Sequence, residues 1–118
     1  MMIRLSLPYP PSANKLWRTF QGRQIKSAEY RRWLSNAQAA VSDACIGGAM
    51  PGEYVLEIVA TRPDRRGRDI DNLIKPISDA IAAAGLVTND SLAAGVSAFW
   101  SRSAPVKGGA VEVTLRTA

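Results

Sequence analysis

A chain of 118 residues is of single-domain length, and 47% hydrophobic against 21% charged residues is the balance of a soluble folded protein, not of a disordered one. Histidine is absent, which removes the commonest general base and transition-metal ligand, and the single cysteine, Cys45, excludes an internal disulfide or a multi-cysteine metal site. The formal charge is +5, with Arg62, Arg65, Arg66 and Arg68 crowded together, so an anionic partner is implied; the plainer alternative is that basic charge only keeps a small protein soluble.

Ile3, Leu5 and Leu7 alternate with Arg4 and Ser6, a half-buried strand that ends at Pro8. Tyr9 to Lys26 reads as a loop, broken by Pro10, Pro11 and Gly22, in which Lys15, Arg18, Arg23 and Lys26 are interleaved with Trp17 and Phe20. Stacking of Tyr9, Trp17 and Phe20 on unpaired bases and burial in a small core are both open to them. From Ser27, a candidate N-cap, Tyr30, Trp33, Leu34, Ala37, Val41, Ala44 and Cys45 recur at helical spacing until Gly47 and Gly48 stop the helix.

Glu53 to Thr61 alternates as a strand and delivers the arginine cluster to a sheet edge. Leu73, Ile74, Ile77, Ile81 and Ala84 form a second helical stripe closed by Gly85. Pro76 removes one helical hydrogen bond and clashes with the carbonyl of Asn72, so the first turn should be irregular or kinked. Val96 to Arg102 and Ala110 to Thr117 read as strands around a Lys107, Gly108, Gly109 turn. The order β-α-β-α-β-β predicts an α+β two-layer sandwich, one domain over residues 1–118, with both helices on one face of a mixed sheet. No apolar run approaches the ~20 residues that span a bilayer, and Met1 to Pro10 holds no extended apolar signal segment. The expected compartment is therefore the cytoplasm, without a membrane partner.

The segment from Arg62 to Leu73 joins a basic loop to Asp69 and Asp71 at a helix start. Phosphate ester hydrolysis uses both halves of this pattern. Carboxylates hold Mg²⁺, which polarises a phosphoryl oxygen and lowers the pKa of bound water, while arginines neutralise flanking phosphates. Lys75 falls one turn beyond Asp71, where it could offset transition-state charge or protonate a leaving oxygen. Plainer alternatives stand beside each. Acids in a first helical turn are favoured by the macrodipole, Asp71 with Lys75 is an ordinary i,i+4 pair, the arginines suit a solvated loop, and Asp90 suits a turn in Thr88 to Ser91.

Over nearly its whole length the chain resembles the RusA family of Holliday junction resolvases, endonucleases common in phages and prophages. The resemblance is carried by Leu7 to Asn14, Ser27 to Arg31, Pro63 to Arg66, Arg68 to Asn72, Lys75 to Ile81, Asn89 to Ser91 and Lys107 to Gly109. It implies metal-binding catalytic acids at Asp69, Asp71 and Asp90, an essential lysine at Lys75, and a homodimer that cuts two opposed strands of four-way branched DNA. Mg²⁺ is the implied cofactor, with Mn²⁺ as a substitute and no organic cofactor. Arg62, Arg65, Arg66, Arg68, Lys15, Arg18 and Lys107 are the expected DNA contacts. Departures are Asn89, where many relatives carry an acid, Leu92, where glutamine is common, and a weak match from Ala93 to Pro105. Two other readings fit the same sequence: a non-catalytic branched-DNA-binding accessory protein, and a nuclease of broader flap and fork specificity.

Overall fold

The computed structural model describes residues 1–44 and 48–118; the expected helix end at Cys45 and stop at Gly47 lie outside the described residues. In chain order it holds strand β1 (Met2–Leu7), strands β2 (Trp17–Phe20) and β3 (Arg23–Lys26), helix α1 (Ala28–Ala44), strand β4 (Tyr54–Thr61), helix α2 (Ile74–Ala83), and strands β5 (Ala93–Trp100) and β6 (Ala110–Thr117). The fold is α+β, with a four-stranded mixed sheet of order β1-β6-β4-β5 and a separate β2-β3 ribbon. β4 and β5 are parallel, joined through α2, whereas β6 is antiparallel to both β1 and β4.

Alternation with period two decides which face of the sheet is dry. Leu5 and Leu7 of β1, Tyr54, Leu56, Ile58 and Ala60 of β4, and Val111, Val113 and Leu115 of β6 are all buried, and the register places them in common rows such as Leu5, Val113 and Ile58. The intervening residues face outward, where Ser6 donates to Glu112 at 2.6 Å. Each large side chain buried on the inner face contributes about 1.5–3 kcal/mol.

The helices cover that face. Ser27 caps α1 as its sequence predicts, its Oγ accepting from the Tyr30 N–H at 3.0 Å, and the Tyr30, Trp33, Ala37 and Val41 stripe is buried. α1 packs against β1 and α2, and the Trp33 indole N–H donates to the Pro8 carbonyl at 2.9 Å, tying the loop after β1 to the helix. At its far end α2 closes on Gly85 at φ +76, with the Gly85 N–H bonded to the Ala82 carbonyl and the Leu86 N–H to that of Ile81. This is a Schellman cap, in which the left-handed residue lacks a Cβ.

Two expectations are corrected and one is met. Tyr9 to Lys26 is not all loop. Its second half is an antiparallel ribbon turning at Gln21 and Gly22, whose φ values of 51° and 75° are those of a two-residue I′ turn. The ribbon is exposed on both faces, so no alternation marks it in the sequence. The third strand of the main sheet begins at Ala93, not Val96, and ends at Trp100, because pairing with β4 overrides the weak strand preference of Ala93, Ala94 and Gly95. The irregular first turn expected at Pro76 is present. Ile70–Leu73 forms a 3₁₀ turn ahead of the helix, which leaves the proline within the first helical turn, where its missing N–H costs no hydrogen bond.

All three tyrosines have raised hydroxyl pKa values, each first through burial, and Tyr30 also through its bond to Asp79. Above pH 10 the unfolded chain therefore releases phenolic protons that the folded chain keeps. Stability is full below the unfolded value of 10.0 and is lost as pH rises toward the folded values. Urea midpoints should fall between pH 9 and pH 11, and Tyr30→Phe should flatten that decline.

Candidate active site

The strand directions bring three loops to one end of the sheet. Leu7, Ala60 and Val111 lie in one row beside Trp100, so the segments Pro8 to Ser12, Arg62 to Asp69 and Ser101 to Gly109 leave the sheet together. The Val106 N–H donates to the Arg62 carbonyl at 3.0 Å, which joins the last two. A cavity of about 230 Å³ lies between the first two, lined in part by Tyr9, Pro11, Arg68, Asp69 and Asn72. Tyr9 is backed by Gly109, where a Cβ would meet the Tyr9 ring at 2.7 Å.

The arginine loop is organised by one carboxylate. Asp64 accepts from the Arg66 backbone N–H at 3.0 Å and side-chain Nε at 3.2 Å, and from Arg68 Nη2 at 2.8 Å; these bonds, the Arg68 one foremost, lower its pKa. Arg66 remains exposed, and Arg68 is half-buried with an Nε that is buried without a partner. The Arg62 guanidinium lies over the Trp100 ring, 4.4 Å from its centroid, and so packs within the protein while its charge stays at the loop. Arg65 is exposed and has no ion-pair partner among the described residues. Lys107 is exposed on the neighbouring loop.

Asp69 and Asp71 emerge where this loop enters the 3₁₀ turn. Asp69 occupies the N-cap position with extended backbone, yet its side chain makes no capping bond. In the Asn89 to Leu92 turn the structural duty belongs to Asn89, whose side chain accepts from the Ser91 N–H at 2.8 Å, and Asp90 is left over. Asp69, Asp71 and Asp90 are all exposed, and among the described residues none of their carboxylates has a hydrogen-bond or ion-pair partner. They also do not converge: among the described residues no three acidic side chains form a ready-made metal cage.

Lys75 is paired with a different acid from the one its spacing suggested. The 3₁₀ turn changes the helical phase, so Asp71 and Lys75 do not share a helix face, and Lys75 Nζ instead bonds Asp79 Oδ1 at 2.9 Å. The other Asp79 oxygen accepts from the Tyr30 hydroxyl at 2.7 Å. Asp79 is the first cause, and the Asp90 charge a lesser one, of a raised Lys75 pKa. Asp90 also acts on Tyr54, whose buried hydroxyl has no partner. Lys75 and Asp79 are an i,i+4 pair that spacing alone could have flagged, whereas Tyr30 meets Asp79 across 49 positions of chain, a contact with no local signal.

Lys15 lies at the base of the ribbon and Arg18 on it. Lys15 is exposed, and the Arg18 guanidinium sits 5.4 Å from the centroid of Phe20.

Free carboxylates beside a loop of arginines are the equipment of a protein that works on phosphate esters. The chain belongs to the RusA endodeoxyribonuclease family: the family model described as Endodeoxyribonuclease RusA matches residues 8–116. It is 39% identical over 114 residues to the Crossover junction endodeoxyribonuclease RusA of Escherichia coli strain K12, a match covering 94% of this chain and 91% of that protein. To the Crossover junction endodeoxyribonuclease rusA of Enterobacteria phage 82 it is 38% identical over the same length and shares. No described helix is long and apolar enough to cross a membrane.

Proposed function

We propose that this chain is a magnesium-dependent, structure-selective endodeoxyribonuclease that resolves Holliday junctions by paired symmetric nicks, acting as a homodimer. The observation that carries the reading is the division among its aspartates. Asp64 and Asp79 are each committed to cations, whereas the side chains of Asp69 and Asp71, directly after the basic loop, and of Asp90, within electrostatic reach of Lys75, stay exposed and unpartnered among the described residues. The family and the names of its relatives supply the substrate class.

The donor set suits a hard cation. It offers carboxylate oxygens with no histidine, and Mg²⁺ takes one or two carboxylates and fills its remaining positions with water and substrate phosphate. Carboxylates that do not close a cage by themselves fit an ion shared with DNA, and the orphaned Tyr54 hydroxyl adds a donor near Asp90. Asp69, Asp71 and Asp90 would hold the ion, and Mn²⁺ suits the same oxygens. When bound, the metal supplies Lewis-acid polarisation of the phosphate and makes water a competent nucleophile near neutral pH.

The remaining work falls to the chain. Arg65 and Arg66, with Arg68 braced by Asp64, neutralise phosphates and hold the strand. Arg65→Ala should weaken junction binding evenly across sequences and reduce the salt slope by about one, as titrations at several salt concentrations would read. Lys75, with its pKa raised, is a weak proton donor and a dependable cation, so its role is to offset charge developing on the phosphate. Asp79 positions it. Asp79→Asn keeps the side-chain shape while removing the anion. We expect single-turnover cleavage to slow by roughly tenfold (about 1.4 kcal/mol), with unchanged junction affinity and an alkaline limb moved to lower pH. An unmoved limb would show that Lys75 acts without Asp79.

Two equivalent cuts call for two equivalent sites, which an isologous dimer provides. β5 is a sheet edge with no charged residue and no proline, and it exposes Val96 and Phe99, features that suit pairing with a second copy. The test of function is a gel assay with and without Mg²⁺ on a four-way junction, a flap and linear duplex. Paired nicks confined to the junction support the proposal. Retention without nicking would mark a branched-DNA binder, and equal cutting of flaps a broader nuclease.

A further inference from the structure

The β2-β3 ribbon has no evident structural reason for its composition. All of β2 is exposed, and β3 half-buries Ile25 alone. A two-stranded ribbon is marginal by itself, and large apolar side chains left in water add nothing to its stability. Yet Trp17 is 42% and Phe20 49% exposed, and Arg18, Arg23 and Lys26 share the ribbon with no acid. Arg18 over the Phe20 ring pairs a flat cation with a flat apolar face at the ribbon tip.

The ribbon is also anchored at its base. Its tip is the I′ turn, where Gln21 is the one described non-glycine residue at positive φ. At its base the Ser27 N–H bonds the Leu16 carbonyl at 2.9 Å, and the Ser27 hydroxyl bonds that of Lys15 at 2.6 Å. Trp17 sets its ring edge-on to Tyr30 with centroids 6.0 Å apart, and Tyr30 in turn bonds Asp79, the partner of Lys75. The arm and the catalytic lysine are thus braced on the same tyrosine.

We propose that this ribbon is a branch-point arm: Phe20 stacks on a base left unpaired at the crossover while Arg18, Arg23 and Lys26 hold the adjoining phosphates. The inference rests on the branched-DNA reading above and names the part of the chain that senses the branch. Aromatic stacking is indifferent to base identity, so the arm would recognise an open branch in place of a sequence. Duplex DNA, whose bases are stacked, offers the ring nothing.

The test is binding without metal, using a four-way junction with 2-aminopurine at the branch point and a linear duplex as control. The parent should bind the junction and change the probe's fluorescence. Phe20→Leu, which keeps apolarity and loses the π face at an exposed position, should bind the junction about five- to a hundredfold more weakly, with duplex binding unchanged. Phe20→Tyr should restore both affinity and signal. Equal junction binding and equal fluorescence for Phe20→Leu would overturn the arm while leaving the nuclease reading intact. A parent that ignores junctions would end both readings, and a Phe20→Leu protein that becomes monomeric would assign the ring to a subunit interface instead.

Discussion

Asp71→Asn slows junction cleavage by about three orders of magnitude, the several kcal/mol expected when a charged metal ligand is neutralised, while junction binding is unchanged or tighter. Both halves of this expectation come from one observation. The Asp71 carboxylate is exposed and has no partner among the described residues, so its loss breaks no internal bond and should move folding stability by less than about 0.5 kcal/mol. It also removes a negative charge from a surface that meets phosphates. Single-turnover cleavage in Mg²⁺, junction affinity in chelator and a thermal melt together separate these effects, and cleavage at the parent rate would remove Asp71 from the site.

Gly109→Ala destabilises the fold by about 2–5 kcal/mol, by two additive routes. At φ +70 an alanine pays roughly 1–2 kcal/mol for a left-handed backbone, and its methyl must enter space held by the Tyr9 ring at 2.7 Å, an overpacking that costs about 1–3 kcal/mol more. Because Tyr9 lines the cavity beside Asp69, the same change should impair cleavage in molecules that remain folded. Urea denaturation reads the first effect. The second is read by pairing Gly109→Ala with Tyr9→Ala, which frees the space and should recover part of the lost stability.

Most of the scaffold was written locally. The alternation of Leu5 and Leu7 with Arg4 and Ser6 named the dry face of β1, while Ser27 and Gly85 marked a helix start and a helix stop through caps that need only neighbouring residues. The β2-β3 ribbon left no such mark, because it buries no face, and its turn is Gln-Gly where Asn-Gly gives a stronger signal. The beginning of β5 was equally silent, since Ala93 and Gly95 become strand only by pairing with β4.

For the site, the residues were legible and their allegiances were not. Spacing suggested that Asp71 served Lys75, and a 3₁₀ turn gave that lysine to Asp79. Local rules made Asp90 as good a turn former as Asn89, and the hydrogen bond to Ser91 went to Asn89. Arginines that looked alike divided into one stacked on Trp100, two braced by Asp64 and one unpaired. Each allegiance depends on a contact or a backbone phase that sequence spacing does not encode.

Anomalous scattering from Mn²⁺ in crystals of the Asp71-intact protein bound to an uncleavable phosphorothioate junction measures the central claim most directly. An ion ligated by oxygens of Asp69, Asp71 or Asp90 and by the scissile phosphate is the predicted result. Manganese bound elsewhere, with those three carboxylates turned to solvent beside a fully seated DNA strand, would contradict it.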